Sequence, residues 1–248
     1  MNEGDRRLAI PFFLPVTHEF LRRGAISSRG DDESRYLGRW NVRLPVAANP
    51  RRKFVSYPEA VDALVRSAAA SGVEISLKPP QGESTTFCEQ VFGRPLAAAI
   101  AAHGYPHDAE LPWIVEDLYL YGPDELSDRQ AGYRSDAGEG TPSAGWDATQ
   151  FVIADWAANP VTIAQDGVIH YARHGTGAWM YTCIVSDLPT FFLLLAAWLD
   201  YMRDKADALY DDNFEIPDAI RADIRSKVVS MVDEADQDAA CRFLLGEF

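Results

Sequence analysis

The fold of this chain is decided by residues 145–199, GWDATQFVIADWAANPVTIAQDGVIHYARHGTGAWMYTCIVSDLPTFFLLLAAWL. Short runs rich in β-branched and aromatic residues follow one another there, and turn-forming residues bound each run. The runs are residues 151–156, 161–164 and 168–172. Each run is therefore predicted to be a β-strand.

Glycines mark the predicted turns. Asp166-Gly167 predicts a two-residue hairpin loop, because both residue types accept the positive φ angles of the turn that matches strand twist. The sequence His174-Gly175-Thr176-Gly177 predicts a second tight turn. Residues 178–185 then alternate as another strand, with Trp179, Tyr181 and Cys183 on one face. The stretch as a whole predicts an antiparallel meander.

An apolar helix follows the meander. Ser186 or Asp187 is suited to cap it, Pro189 fits its first turn, and residues 191–199 are apolar nearly all round. Such a helix is predicted to be largely buried. We therefore expect an α+β fold, in which an antiparallel sheet of about five or six strands has helices before and after it.

Several motifs of this region occur together in a known family. LYLYGPDEL (118–126) is followed by Gly145-Trp146, a strand ending in Ala-Asp, Asn159-Pro160-Val161, a hairpin and HGTGAW (174–179). In this order they resemble the SUKH superfamily, which contains the fungal Smi/Knr regulators of cell-wall synthesis and many bacterial toxin-immunity proteins. The resemblance spans residues 85–202. Its signature residues, expected to be structural, are Tyr121, Gly122, Pro123, Trp146, Pro160, His174, Gly175, Gly177 and Trp179.

The resemblance implies a protein-binding module rather than an enzyme. Bacterial members neutralise toxins, often nucleases, by binding them, and others act as scaffolds or regulators. One position departs from the family pattern, because members often carry Gly or Asp before the proline of a GDP turn, whereas this chain has Ala158-Asn159-Pro160. Asn is also a turn residue, so the turn itself is expected to form.

Two regions are distinguished along the chain of 248 residues, of which 47% are apolar. Residues 1–80 are predicted to hold an Arg-rich arm followed by a helix and a strand. Residues 81–248 are predicted to form the SUKH-like domain, which ends in packing helices. Whether the first region packs into the same domain stays open at this point.

Helical spacing and breakers place the remaining elements. A helix bent at Pro95 precedes a long loop-rich stretch, and the helix after the meander is expected to continue in charged form. The predicted ranges are helices at 56–70, 87–103, 217–231 and 236–245, a strand at 73–77, a loop-rich stretch at 104–146 and the charged continuation at 203–212.

The charge of the chain restricts its partners. Its formal net charge is −14, from 23 basic and 37 acidic side chains, so nucleic acid and anionic membranes are not expected to bind. A basic protein is the expected partner. The Arg-rich arm is expected to dock on an acidic face of the same protein rather than on nucleic acid.

The sequence also predicts where the protein is located and the state of its cysteines. The longest apolar run is too short to span a membrane, and the first thirty residues lack a signal-peptide pattern, which predicts a cytoplasmic protein. The three cysteines, Cys88, Cys183 and Cys241, have no CxxC spacing and are expected to be buried thiols. The oligomeric state is left open.

No motif for a metal, a cofactor or catalysis is found. His170 and His174, like His103 and His107, lack one-face helical spacing, so no metal is expected. The HGTG segment has no following helix and no nearby lysine, so no nucleotide is expected. A G-x-S-x-G elbow does not occur. We therefore expect a protein that is not an enzyme.

The expected function is neutralisation of a basic, nuclease-type toxin by an acidic surface. The expected contacts, at loops or strand ends, are Asp124, Glu125, Asp155 and Asp166. The alternative is a regulator or a carbohydrate-binding or carbohydrate-acting protein of cell-wall synthesis. It would use paired carboxylates and tryptophans such as Trp156 and Trp179.

Overall fold

The computed structural model describes residues 55–107, 109–114, 116–136, 138–175 and 178–247. These residues belong to one compact unit, Arg51–Phe248. The Arg-rich arm, together with Thr176 and Gly177 of the predicted turn, lies outside the described residues.

Helices and short strands alternate at first, a meander follows, and helices close the chain. The helices are α1 (Tyr57–Ala70), α2 (Glu83–His103), α3 (Leu188–Lys205), α4 (Asp218–Lys227) and α5 (Gln237–Leu245). The strands are β1 (Ser76–Lys78), β2 (Tyr105–His107), β3 (Ala109–Leu111), β4 (Leu118–Leu120), β5 (Gln150–Trp156), β6 (Asn159–Ala164), β7 (Ile169–Ala172) and β8 (Tyr181–Val185).

The main sheet is a six-stranded antiparallel meander in the order β3-β4-β5-β6-β7-β8. A separate two-stranded sheet pairs β1 with β2. The predicted α+β class and the antiparallel sheet with helices before and after it are confirmed. Among the described residues, no helix combines the length and the apolar character of a membrane span.

Local sequence explains why the helices begin and bend where they do. Ser56 caps α1 in a reciprocal capping box with Glu59. Asp187 caps α3 by accepting a hydrogen bond from the N–H of Thr190 at 2.8 Å. The bend predicted at Pro95 is present, although the non-helical residue is Gly93, with φ of +71°. Proline then sits near the start of the second half of α2, where its missing N–H costs least.

The core lies between the sheet and the helices. The buried face of α3 contributes Phe191, Phe192 and Trp198, which confirms that this helix is largely buried. Helix α1 packs along α3, and the hydroxyl of Tyr57 donates to the carbonyl of Gly104 at 2.6 Å. Elements on both sides of residue 80 therefore share one core.

Several predicted details are wrong. The stretch 104–146 is loop-rich as predicted, but it also contains β2, β3 and β4, which were not predicted because three-residue strands are too short to show periodicity. The predicted strand at 73–77 forms later, at Ser76–Lys78, and the one at 178–185 begins only at Tyr181. Helix α3 ends at Lys205 and gives way to a 3-10 turn rather than continuing to residue 212.

Three further side-chain or turn predictions need correction. Met231 is exposed in a 3-10 turn after α4, so it does not extend the apolar face of that helix. Cys183 is half-buried, unlike Cys88 and Cys241. The loop between β6 and β7 has four residues, 165–168, rather than two. Within it only Gly167 has positive φ, and its N–H closes a turn by donating to the Ala164 carbonyl at 2.8 Å.

Candidate functional site: the loop face of the sheet

The two faces of the main sheet differ in how they are covered. Cross-strand pairing places Tyr119, Asp155, Thr162, His170 and Cys183 on one face, which we call the loop face because residues 121–150 cross it. Most of these side chains are half-buried. The opposite face is buried under helices. Its members include Leu118, Leu120, Val161, Ile169 and Tyr171.

The crossing segment is fastened to the sheet by Gln130. Strand β4 ends at Leu120, which leaves the backbone of Val152 without a strand neighbour on that side. The side-chain amide of Gln130 donates to the carbonyl of Val152 at 2.9 Å and accepts from its N–H at 3.0 Å. The same amide donates to the carbonyl of Leu126 at 2.7 Å. One buried side chain therefore replaces a missing strand, as buried backbone groups require.

Acidic and aromatic side chains form a row across three strands of the loop face. Glu110 on β3 pairs with Tyr119 on β4, which in turn pairs with Asp155 on β5. Adjacent strands lie about 4.8 Å apart, so the Cα atoms of Glu110 and Asp155 stand on the order of 10 Å apart, with Tyr119 between them on the same face. Glu110 is exposed and Asp155 is half-buried.

Asp155 is held by a tyrosine. The hydroxyl of Tyr121 donates a hydrogen bond to the Asp155 carboxylate. Burial, followed by this hydrogen bond, raises the pKa of Tyr121 well above its usual value. Tyr133 stands next to it, and burial raises its pKa to about 12. Both phenols therefore stay protonated donors at neutral pH.

The basic side chain of Arg129 accompanies this row. The guanidinium carbon of Arg129 lies 5.3 Å from the ring centre of Tyr119 and 5.0 Å from that of Tyr121. Its Nε donates to Glu125 at 3.0 Å. Both rings are within the range of cation–π attraction. The face thus already binds one guanidinium group by rings and a carboxylate.

An aromatic cluster continues the loop face from there. Trp146 and Trp179 meet edge to face at 5.0 Å, and Tyr133 lies 6.0 Å from Trp179. Tyr181 is 5.6 Å from Trp146, and the His174 ring is 5.8 Å from Trp179. The three contacts among the Trp and Tyr rings are edge to face, which is favourable for aromatic pairs, and the His174 contact is tilted.

The turn beside this cluster is built around Asn159. Ala157 and Ala158 both have positive φ, at 51° and 60°, in a two-residue turn between β5 and β6. The Asn159 amide donates to the carbonyls of Trp156 and Ala157 at 3.1 and 3.2 Å. Its oxygen accepts from the N–H of His174 at 2.8 Å. An aspartate would lack the two donors, so Asn suits this turn.

The structure separates the four acids expected to contact a partner. Glu125 and Asp155 bind two neighbouring tyrosines. Glu125 accepts a hydrogen bond from the Tyr119 hydroxyl at 3.3 Å, and Asp155 accepts one from Tyr121. Asp124 points instead to Ser84 at the start of α2, at 3.2 Å. Asp166 lies in the turn at the far end of β6, where it accepts from the N–H of Val168 at 3.2 Å. Two of the four acids therefore lie together.

The signature residues have structural neighbours wherever they are described. Gly122 and Pro123 are buried, and the Gly122 carbonyl accepts from the N–H groups of Glu125 and Leu126 at 3.0 and 3.1 Å. Pro160 is buried opposite Asp155. Trp146 donates to the carbonyl of Gln150 at 3.1 Å. Gly175 has φ of +81°, as its predicted turn requires. Gly177 lies outside the described residues.

Sequence reasoning missed Glu110, Tyr119, Arg129 and Tyr133 as members of the site. Glu110 and Tyr119 belong to strands too short to predict, and only strand pairing brings them beside Asp155. The LYLYGPDEL motif contained Tyr119, but nothing in a linear motif shows which face a side chain takes.

The geometry also concerns sugar binding, paired carboxylates and metal binding. Trp156 is buried, with 7% of its surface exposed, and donates to the Glu116 carbonyl at 3.1 Å, so it cannot stack on a sugar ring. A cleft of about 270 Å³ between α3 and α4 contains Asp200 and Asp204. Arg203 binds both of these acids, at 2.7 and 3.1 Å. Across the described ranges, no group of three or more His, Cys, Asp or Glu side chains is arranged to hold a metal ion.

Comparison of the chain with models of protein families, with characterised proteins and with solved structures gave no match.

Proposed function

We propose that this protein binds and neutralises a basic protein, of the nuclease-toxin type, through its loop face. The observation that carries the proposal is the row Glu110–Tyr119–Asp155, in which two carboxylates flank an aromatic ring on a half-buried surface. Tyrosine, tryptophan and arginine are the residues that most often dominate protein interfaces. The resemblance of residues 85–202 to the SUKH superfamily supports the same function.

Charge favours a basic partner. Residues 54–248 hold 31 acidic and 12 basic side chains, a net charge of −19. An acidic surface attracts a basic nuclease over several ångströms and occupies the face that would bind phosphates. Tyr119, Tyr121 and Glu125 already hold the guanidinium of Arg129, so the same groups suit lysine or arginine side chains of a partner.

The test begins with capture of partners by the tagged full-length protein from its native lysate at low and high salt. A captured basic protein is then purified, and its nuclease activity is titrated with this protein. Stoichiometric inhibition is the expected result. Binding without inhibition would support a scaffold instead, and no salt-dependent partner would count against the proposal.

Matched charge reversals locate the surface. Glu110→Lys places a positive charge on the loop face, whereas Glu74→Lys and Glu234→Lys change the net charge equally elsewhere; all three glutamates are exposed. We expect Glu110→Lys to slow association by about tenfold at low salt, and the controls to have little effect. Equal effects of all three would show that only net charge matters.

A further inference from the structure

A second feature, on the connection between α3 and α4, points to another contact surface. Phe214 is 85% exposed, the most exposed of the large hydrophobic side chains that the structure describes. It also has φ of +62°, which is rare for a bulky residue and disfavoured by contact of its Cβ with the backbone. A single exposed apolar residue is ordinary. The combination of exposure and backbone strain at one residue is unusual, because both oppose folding.

The loop that carries Phe214 is tightly hydrogen-bonded. The Asp211 carboxylate accepts from the N–H groups of Asn213 and Glu215 at 2.8 and 3.0 Å. The Asp211 N–H donates to the Glu215 carbonyl at 2.9 Å, and its carbonyl accepts from the Phe214 N–H at 3.0 Å. These bonds hold the phenyl ring outward. An aromatic side chain ordered in advance loses little entropy on binding.

Charge around the loop indicates the partner. Residues 206–220 contain five acidic and no basic side chains, and Phe214 lies among them. An interface centred on an aromatic anchor with a charged rim is complementary to an apolar pocket with a rim of opposite charge. A second copy of this chain would bring the same five acids against this rim.

We infer that Phe214 is an anchor that inserts into an apolar pocket rimmed by lysine or arginine on a basic protein partner. Its backbone strain is retained because it points the ring away from the domain. The inference shares with the proposed function only the basic character of the partner, and it uses a loop separate from the loop-face residues.

The experiment places a photo-crosslinking phenylalanine analogue at position 214 of the full chain in its native cells, with the same analogue at exposed Ser230 as the control. We expect one adduct with a basic protein from position 214, and Asp212→Lys should reduce its yield. No adduct, an adduct with a second copy of this chain, or an equal adduct from position 230 would overturn the inference.

A second variant separates binding from folding. Phe214→Asn places a residue that tolerates positive φ at the same site. We expect it to weaken binding of the crosslinked partner by about 30-fold, as for an interface hot spot, without lowering the melting temperature. Unchanged affinity would overturn the inference. Glu110→Lys changes only the loop face. The proposed function and the inference about Phe214 are therefore tested separately, and either one can be refuted without the other.

Discussion

The amide of Gln130 offers the sharpest test of how the loop face is built. Gln130→Met keeps the length and volume of the side chain but removes all three of its hydrogen bonds. The N–H and carbonyl of Val152, which is fully buried, then lose their partners. Each orphaned buried group costs about 1–3 kcal/mol, so we expect a loss of about 2–5 kcal/mol in the free energy of unfolding.

Urea unfolding followed by circular dichroism measures this loss. With a slope of about 2–3 kcal/mol/M for a domain of this size, the midpoint should fall by roughly 1–2 M. Gln90→Met is the matched control, since Gln90 is exposed on α2, and it should change stability by no more than about 0.5 kcal/mol. The amide of Val152 should also lose its protection from hydrogen exchange. A cost below about 1 kcal/mol for Gln130→Met would refute the claim that this side chain replaces a strand.

Three other predictions follow from single positions. Asn159→Asp removes two hydrogen-bond donations and places a carboxylate against two carbonyls. The free energy of unfolding should therefore fall by about 1–3 kcal/mol at pH 7 and by less at pH 4, where the carboxylate is partly protonated. Urea titrations at the two pH values measure the difference. Gly104→Ala should destabilise the protein by about 1–3 kcal/mol more than Gly72→Ala. Both glycines have positive φ, but only at position 104 would the added Cβ meet β1, at 2.9 Å from the Cβ of Leu77. Equal losses of stability would contradict this prediction. Burial raises the pKa of Tyr133 and of Tyr181 to about 12, above the unfolded value near 10, so stability should hold below pH 10 and fall as pH rises through 12. The variant with both Tyr133→Phe and Tyr181→Phe should lose less stability over this pH range. Unfolding at each pH measures the loss, and tyrosinate absorbance follows the titration.

Periodicity and turn residues were sufficient to predict the meander and the capped, buried α3. They act locally, between residues a few positions apart, so one sequence reveals them. The short strands β3 and β4 were missed because three residues form a strand only when a neighbour supplies hydrogen bonds. The separation of Asp166 from Asp155 was missed for a similar reason, since only the register of β6 shows that the two lie at opposite ends.

The positive φ of Ala157 and Ala158 was also beyond prediction. The sequence favours glycine or asparagine in such turns, yet alanine occupies both positions. The amide of Asn159 bonds the carbonyls on the strand side of the turn, and Tyr133 donates to the Ala158 carbonyl at 3.4 Å. An adjacent asparagine and a tyrosine from a distant segment thus stabilise a turn that its own residues disfavour.

The break in α2 at Gly93 divides that helix into two halves with different neighbours. Its first half contacts the site side of the domain, through Ser84 with Asp124 and Phe87 with Phe151. Its second half ends with His103 bound to Asp62 of α1 at 2.8 Å. Because the backbone of Gly93 is not helical, the two halves do not form one continuous helix, and each half packs against its own part of the domain. The glycine therefore lets one segment of the chain pack in two directions, which a straight helix of this length would not do.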